Sequence, residues 1–288
     1  MAQLTSTSTA VVLLGLVVGW AAADPVSIVA HRGASRDAPE NTIAAFELAW
    51  RQGADAIEGD FYLTKDRRIV CIHDATTKRT AGTNLRVAGS TLAELRKLDV
   101  GRWRGAKWAQ QRIATLEEVL AVVPADKRVL IEVKCGPEIV PVLKKVLESS
   151  RLKREQTVII SFNAKVIAEA KRLLPKRKAF WLTGFRKDKK TGQWQPSLQK
   201  VLSTLKTIQA DGLSCQASRA AVGRSLVSAL RARGLELHVW TVDNIETAVY
   251  FRELGVRSIT TNRPGWLREQ MAKPASQGKT PSKAGVGP

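Results

Sequence analysis

Two short patterns in this sequence concentrate groups that do chemistry: Glu58 and Asp60 in AIEGDF, and Glu132 and Lys134 in LIEVKC. Side chains alternate across a β-strand, so each pair projects from one face while Ile131 and Val133 project from the other. Three carboxylates at inward positions of buried strands repel one another and lose solvation, and a divalent cation offsets both costs directly. Oxygen-only ligands favour Mg2+ or Ca2+ over Zn2+. A salt-bridge network among Glu58, Asp60, Glu132, Arg32 and Lys134 is the competing reading, and it needs no metal.

The chain has only three histidines, and two of them, His31 in AHRGAS and His73 in CIHDAT, fall at the ends of expected strands. A strand-end histidine taken alone is more often structural than catalytic. Two of them in the company of three inward carboxylates point to acid/base work at one end of a sheet or barrel. His238 lies two residues before Trp240, on the same side of its strand but deeper, and reads as structural.

The elements that must position these groups alternate along the chain. Strand-like runs are expected at Ser27 to Ala30, Ala56 to Tyr62, Ile69 to His73, Val129 to Lys134, Thr157 to Phe162, Ala179 to Thr183, Gly212 to Cys215, Leu237 to Val242 and Ser258 to Thr261. The second and third are so close that they read as one barrel strand with a hairpin-like extension. Helical stretches intervene, among them Asn41 to Gln52, with Ile43, Phe46 and Trp50 on one face, and Asn163 to Leu174 and Asn244 to Leu254, each entered through an asparagine cap. Eight such units predict an α/β fold of the (β/α)8 TIM-barrel type. A doubly wound open sheet would usually show a Gly-rich phosphate turn, and none is present. Ala75 to Ile113 breaks the rhythm and reads as an insertion at the barrel mouth. The expected barrel domain covers residues 24–271, and residues 272–288, rich in Lys, Pro, Gly and Ser, read as a disordered basic tail.

The motifs HRG (His31 to Gly33), PENT (Pro39 to Thr42), ExD (Glu58, Asp60), HD (His73, Asp74), ExK (Glu132, Lys134), SF (Ser161, Phe162) and WTV (Trp240 to Val242) occur in this order. Together they resemble the glycerophosphodiester phosphodiesterase family, from about Ser27 to Leu267. The resemblance implies that Glu58, Asp60 and Glu132 hold a metal ion and that His31 and His73 are the general acid/base pair. It further implies that Arg32 and Lys134 contact phosphate, that Trp240 walls the glycerol moiety, and that Glu40 and Asp74 orient the groups that touch substrate. Asn262 stands where many relatives carry Asp, which puts the role of that strand end in doubt. Trp103 and Trp108, flanked by Arg104 and Lys107, suit either a lipid-facing rim or the packing of a small subdomain.

A formal charge of +20 on 288 residues favours anionic surroundings, such as phosphate substrates, membrane lipid or cell-wall polymer. Nucleic acid is not expected, because the basic residues are scattered and aromatics do not interleave with them as a stacking platform requires. The uncharged apolar run Ala10 to Ala23 reads as a signal peptide cleaved after Ala23, giving a secreted or periplasmic protein. A retained anchor or a buried first helix is the alternative, since Met1 to Thr9 has no basic residue. Cys71, Cys135 and Cys215 lie far apart and cannot all pair, so buried free thiols are expected. Three activities remain open: cleavage of glycerophosphodiesters to glycerol 3-phosphate and an alcohol, a lysophospholipase D using the same residues, and a non-catalytic protein that binds anionic surfaces. The intact histidines and carboxylates favour the enzymes over the third.

Overall fold

Runs rich in Val, Ile and Leu that are covered on both faces form parallel strands, and the amphipathic stretches between them form the covering helices. The computed structural model describes Val26 to Lys273; the expected signal peptide and residues 274–288 of the expected tail lie outside the described residues. In chain order the strands are β1 (Ser27–Ala30), β2 (Ala56–Leu63), β3 (Ile69–Cys71), β4 (Arg128–Val133), β5 (Thr157–Ser161), β6 (Ala179–Thr183), β7 (Arg186–Lys187), β8 (Trp194–Gln195), β9 (Gly212–Gln216), β10 (Glu236–Trp240) and β11 (Ser258–Thr261). The α-helices are α1 (Ile43–Arg51), α2 (Lys78–Ala81), α3 (Leu92–Leu95), α4 (Leu116–Ala121), α5 (Val140–Ser149), α6 (Ala164–Leu173), α7 (Leu198–Thr207), α8 (Arg224–Arg231), α9 (Ile245–Leu254) and α10 (Pro264–Ala272).

Eight strands close into a barrel in the order β1, β2, β4, β5, β6, β9, β10, β11 and back to β1, with every neighbouring pair parallel. A covering helix follows each of them before the next barrel strand, which makes the fold a (β/α)8 TIM barrel, as the alternation of patterns predicts. β3 pairs antiparallel with the far end of β2, Phe61 opposite Cys71, and is the expected hairpin-like extension.

The structure departs from the sequence reading at particular points. The expected strand ends at His73, Lys134, Phe162 and Val242 lie one or two residues past the last strand residue. There the chain leaves the ladder, so these residues belong to the loops around the barrel mouth. Asn41 is not helical: it takes a left-handed φ of 59°, and Thr42 caps α1 by accepting from the Ala45 N–H at 3.2 Å. The small β7/β8 hairpin was not expected, because its four residues show no apolar alternation. Asn163 and Asn244 do cap α6 and α9, accepting from the N–H groups of Lys165 and Thr247.

Outward strand residues such as Ile57, Phe61, Ile131 and Ile259 pack against helix residues such as Phe46, Leu143, Ile167 and Phe251. The inward residues Val29, Leu130, Val158, Ile160, Phe180 and Leu182 form a separate apolar plug in the lumen. A third cluster, including Val70, Val87, Leu95 and Ile113, underlies the segment between β3 and α4 that carries α2, α3 and three short 3-10 turns. Cys71 and Cys215 are buried free thiols, and Cys135 is a half-buried one.

Gly33 follows β1 and fixes where α1 sits against the mouth. It has a φ of 80°, and a Cβ there would lie 2.6 Å from the Ala45 carbonyl carbon. Gly33→Ala is expected to destabilise the fold by about 1–3 kcal/mol. A lowered urea midpoint checks this, and an unchanged midpoint would contradict the close approach.

Candidate active site

The C-terminal ends of the barrel strands surround a cavity of about 180 Å3 lined by His31, Arg32, Glu58, His73, Glu132, Lys134, Phe162 and Trp240, among others. Inward alternation along β2 and β4 brings Glu58, Asp60 and Glu132 together, as the strand pattern predicts, and Asp60 lies opposite Glu132 in the ladder. All three are buried, and one ligand oxygen from each falls within 4.8 Å of the others.

Arg32 and Lys134 are interleaved with these carboxylates. Lys134 Nζ lies 2.7 Å from Glu132 Oε1 and 3.3 Å from Asp60 Oδ1, and Arg32 Nε lies 3.2 Å from Asp60 Oδ2. Asn41 clasps Asp60 from the far side, donating through Nδ2 to Oδ2 at 2.8 Å and accepting from the Asp60 N–H at 3.1 Å. Burial opposes the charge on Asp60, but Lys134 and Arg32 hold its carboxyl below the usual range. Glu58 fares differently. Its Oε2 accepts the Arg32 N–H at 2.9 Å, but its buried Oε1 has no hydrogen-bond partner. Burial, then repulsion from Asp60 and Glu132, push the Glu58 carboxyl well above its ordinary value, and burial and Asp60 raise Glu132 as well.

The salt-bridge network weighed from the sequence is therefore present, yet it does not neutralise the site. Glu40, Glu58, Asp60, Asp74 and Glu132 are tied together by Arg32, Arg79 and Lys134, a deficit of two positive charges. An orphaned buried carboxylate oxygen beside two further carboxylates is a donor set that fits a hard divalent cation.

Each histidine is held through Nδ1. His31 Nδ1 lies 2.7 Å from Asn262 Oδ1, and the Asn262 amide is oriented by donating to Asp243 Oδ2 at 2.6 Å. That fixes Oδ1 as the acceptor, so His31 carries its proton on Nδ1 and leaves Nε2 as a base. Burial, then the Arg32 charge, lower the His31 pKa below the ordinary imidazole value. His73 Nδ1 lies 2.7 Å from Asp74 Oδ1, while Arg79 donates to Asp74 Oδ2. Burial opposes ionisation of Asp74, but hydrogen bonds from Arg79 and His73 hold its carboxyl below the usual range. Trp240 and Phe162 meet edge to face, 5.5 Å between ring centroids, and form an aromatic wall of the cavity.

A sequence model of the glycerophosphoryl diester phosphodiesterase family matches residues 31–266. The chain belongs to that family. It is an enzyme of the same class, a phosphoric diester hydrolase. It is 34% identical over 246 residues to a glycerophosphodiester phosphodiesterase of Caldanaerobacter subterraneus, covering 83% of this chain and 95% of that one. The same identity holds over 243 residues with the Bacillus subtilis protein YhdW, covering 83% and 96% of the two chains. Among solved structures, an Oleispira antarctica phosphodiesterase in complex with the product sn-glycerol-3-phosphate is 25% identical, with a TM-score of 0.75 over 86% of this chain and 98% of that one.

Sequence reading of this phosphodiesterase missed three supports. Asn262 does hold His31, and Asp243 orients it. Asn41 was read only as part of PENT and as the start of a helix, although its clasp on Asp60 is the reason an asparagine suits a left-handed position there. Arg79, in α2, had no signal at all. Its Nη1 and Nη2 donate to the two oxygens of Glu40 at 2.9 and 2.7 Å, its Nε donates to Asp74 at 2.7 Å, and Glu40 in turn accepts from Arg32 at 3.1 Å. One guanidinium thus ties the His73 partner to the Arg32 partner. Arg79→Ala is expected to lower kcat about tenfold or more without unfolding the chain, and Arg79→Lys to recover only part, since an ammonium cannot make the planar fork. Steady-state kinetics with circular dichroism measure both.

The charge deficit makes a second prediction. A carboxyl whose folded pKa is raised holds its proton more tightly folded than unfolded. In the cation-free protein Glu58 therefore costs stability as pH rises above its unfolded value of about 4.3, up to its folded pKa. Mg2+ or Ca2+ should raise the melting temperature more at about pH 8 than at about pH 5. Glu58→Gln should raise the melting temperature of the chelated protein at neutral pH and remove most of the cation effect. Cation-independent melting of the parent chain at both pH values would favour the purely ionic network.

Proposed function

We propose that this phosphodiesterase cleaves glycerophosphodiesters to glycerol 3-phosphate and an alcohol, with a divalent cation, Mg2+ or Ca2+, held by Glu58, Asp60 and Glu132. The observation that carries this reading is the meeting of two Nδ1-anchored histidines, two cationic side chains and a carboxylate triad with an orphaned oxygen around one small cavity. A bound cation there supplies positive charge that offsets the phosphate and lowers the barrier to attack at phosphorus.

Arg32 and Lys134 orient the phosphodiester oxygens, and their charge favours the more negative transition state. His31, kept neutral by burial, accepts through Nε2 the proton of the attacking oxygen as the new P–O bond forms. His73, whose Nδ1 is held by ionised Asp74, donates from Nε2 to the leaving alcohol oxygen as the old P–O bond breaks. Trp240 and Phe162 offer an apolar wall to the glycerol carbons. A cavity of about 180 Å3 suits a headgroup diester better than an acyl chain, which favours this reading over a lysophospholipase D. The expected signal peptide adds the proposal that the enzyme acts outside the cytoplasm, where a charge of +20 would draw it toward anionic membrane or cell-wall polymer.

Release of glycerol 3-phosphate from glycerophosphocholine, with and without chelator, tests the activity. His31→Ala and His73→Ala should each cost about a hundredfold or more in rate. On a diester with an activated phenol as leaving group, protonation matters little, so His73→Ala should recover much of its rate and His31→Ala should not. Because His31 must be neutral, kcat/KM should fall with acid at a pH below the ordinary histidine value. Two folded variants with near-parental rates would refute the two-histidine mechanism.

A further inference from the structure

A larger cavity than the catalytic one lies at the other end of the barrel. A cavity of about 430 Å3 opens among the N-terminal ends of the strands and shares no lining residue with the catalytic mouth. The apolar plug that contains Leu130 and Phe180 lies between them, since each of these residues sits midway along an inward column. Arg128, Leu130 and Glu132 form one such column, and Lys178, Phe180 and Leu182 another.

The lining of this lower cavity is charged and unbalanced. Among the described residues, Arg128, Arg154, Lys176 and Lys178 face two carboxylates, Glu155 and Glu236. Glu236 is already committed, with Oε1 on Lys178 Nζ and Oε2 3.2 Å from His238 Nε2. Burial opposes its ionisation, but hydrogen bonds from His238 and Lys178 hold it down to about 2. Burial lowers the His238 pKa below the ordinary imidazole value, which favours a neutral ring with Nε2–H toward Glu236 and Nδ1 2.8 Å from the Ser258 hydroxyl, adding no charge of its own. It is clamped further by stacking on Phe180, 4.2 Å between centroids. Arg128 donates to the neutral Ser27 hydroxyl at 3.1 Å and, like Arg154 and Lys176, makes no ion pair among the described residues.

These cations are exposed at the rim, so solvent screens much of their repulsion, but gathered around one concavity they still favour an anion that can bridge several of them. Helix C-termini at this end of the barrel attract cations too, but that effect dies within the last turn. It does not explain Arg128, whose side chain is fixed to β1. Cations approaching from several strands suit an anion with several oxygens and more than one charge, whereas a single carboxylate is met by one arginine.

We propose that the lower cavity is a second anion site, which takes inorganic phosphate or a small phosphate monoester and is independent of the catalytic mouth. The three histidines make the test direct, because His31 and His73 report the mouth and His238 the lower cavity. Inorganic phosphate titrated into the full, Mg2+-loaded chain at constant ionic strength and pH should shift the His238 imidazole resonances in a saturable way. Arg128→Ala with Arg154→Ala should weaken that shift at least tenfold and leave turnover of glycerophosphocholine unchanged. Lys134→Ala should abolish turnover and leave the His238 shift intact. Acetate over the same range should leave His238 unmoved. A His238 resonance indifferent to phosphate, or moved equally by acetate, would overturn the proposal. So would a shift that survives the double arginine change or disappears with Lys134→Ala.

Discussion

Three carboxylates whose oxygens lie within 4.8 Å of one another, buried at the ends of two paired strands, cannot all remain charged without positive charge brought close to them. The mouth of this barrel is arranged around that constraint. Arg32 occupies a left-handed position directly after β1, which turns its N–H onto Glu58 and its guanidinium onto Asp60. Lys134 leaves the ladder just beyond β4, its N–H bonded to the Phe61 carbonyl, so that its ammonium returns over Asp60 and Glu132. Asp60 ends with several partners and Glu58 with an oxygen that has none. The protein's own cations thus leave one oxygen of the triad unsatisfied.

Beyond these contacts runs a chain of ion pairs in which each link orients the next. His73 is held by Asp74, Asp74 by Arg79, Arg79 by Glu40, and Glu40 by Arg32, which returns to Asp60. Exposed ion pairs contribute little to stability, so this half-exposed chain is better understood as fixing geometry. His31 is anchored otherwise, through a neutral amide whose own partner is Asp243. A carboxylate behind one imidazole and an amide behind the other give the two rings different electrostatic surroundings, as the opposite proton transfers proposed for them require.

Much of this was legible in the sequence because it depends on local periodicity. Period-two alternation places Glu58 with Asp60 and Glu132 with Lys134, and alternating strand and helix patterns specify a barrel whose strand ends gather His31 and His73. What escaped depends on contacts between residues distant in sequence. Arg79 lies 39 positions from Glu40, in a segment of short helices without a usable period. Asn262, doubtful because it is not the expected Asp, is rescued by Asp243, and an amide whose orientation is set across 19 positions leaves no mark on composition. Asn41 looked helical because it precedes an amphipathic run, and only its left-handed turn toward Asp60 shows why it stops short.

The inward columns of the barrel divide its work by height. Along β4 the order is Arg128, Leu130, Glu132, and along β10 it is Glu236, His238, Trp240. The middle layer, with Val29, Leu130, Val158 and Phe180, supplies apolar burial inside the lumen. That burial lets both ends carry polar and charged groups that no core could hold. An apolar plug offers water no polar partner along the lumen, so charge at the lower end is felt at the mouth through a low-dielectric filling or through strand register. Because register is pinned by eight parallel pairings, a group such as Trp240 keeps its place on the cavity wall even though the residue two positions below it serves a different chemistry.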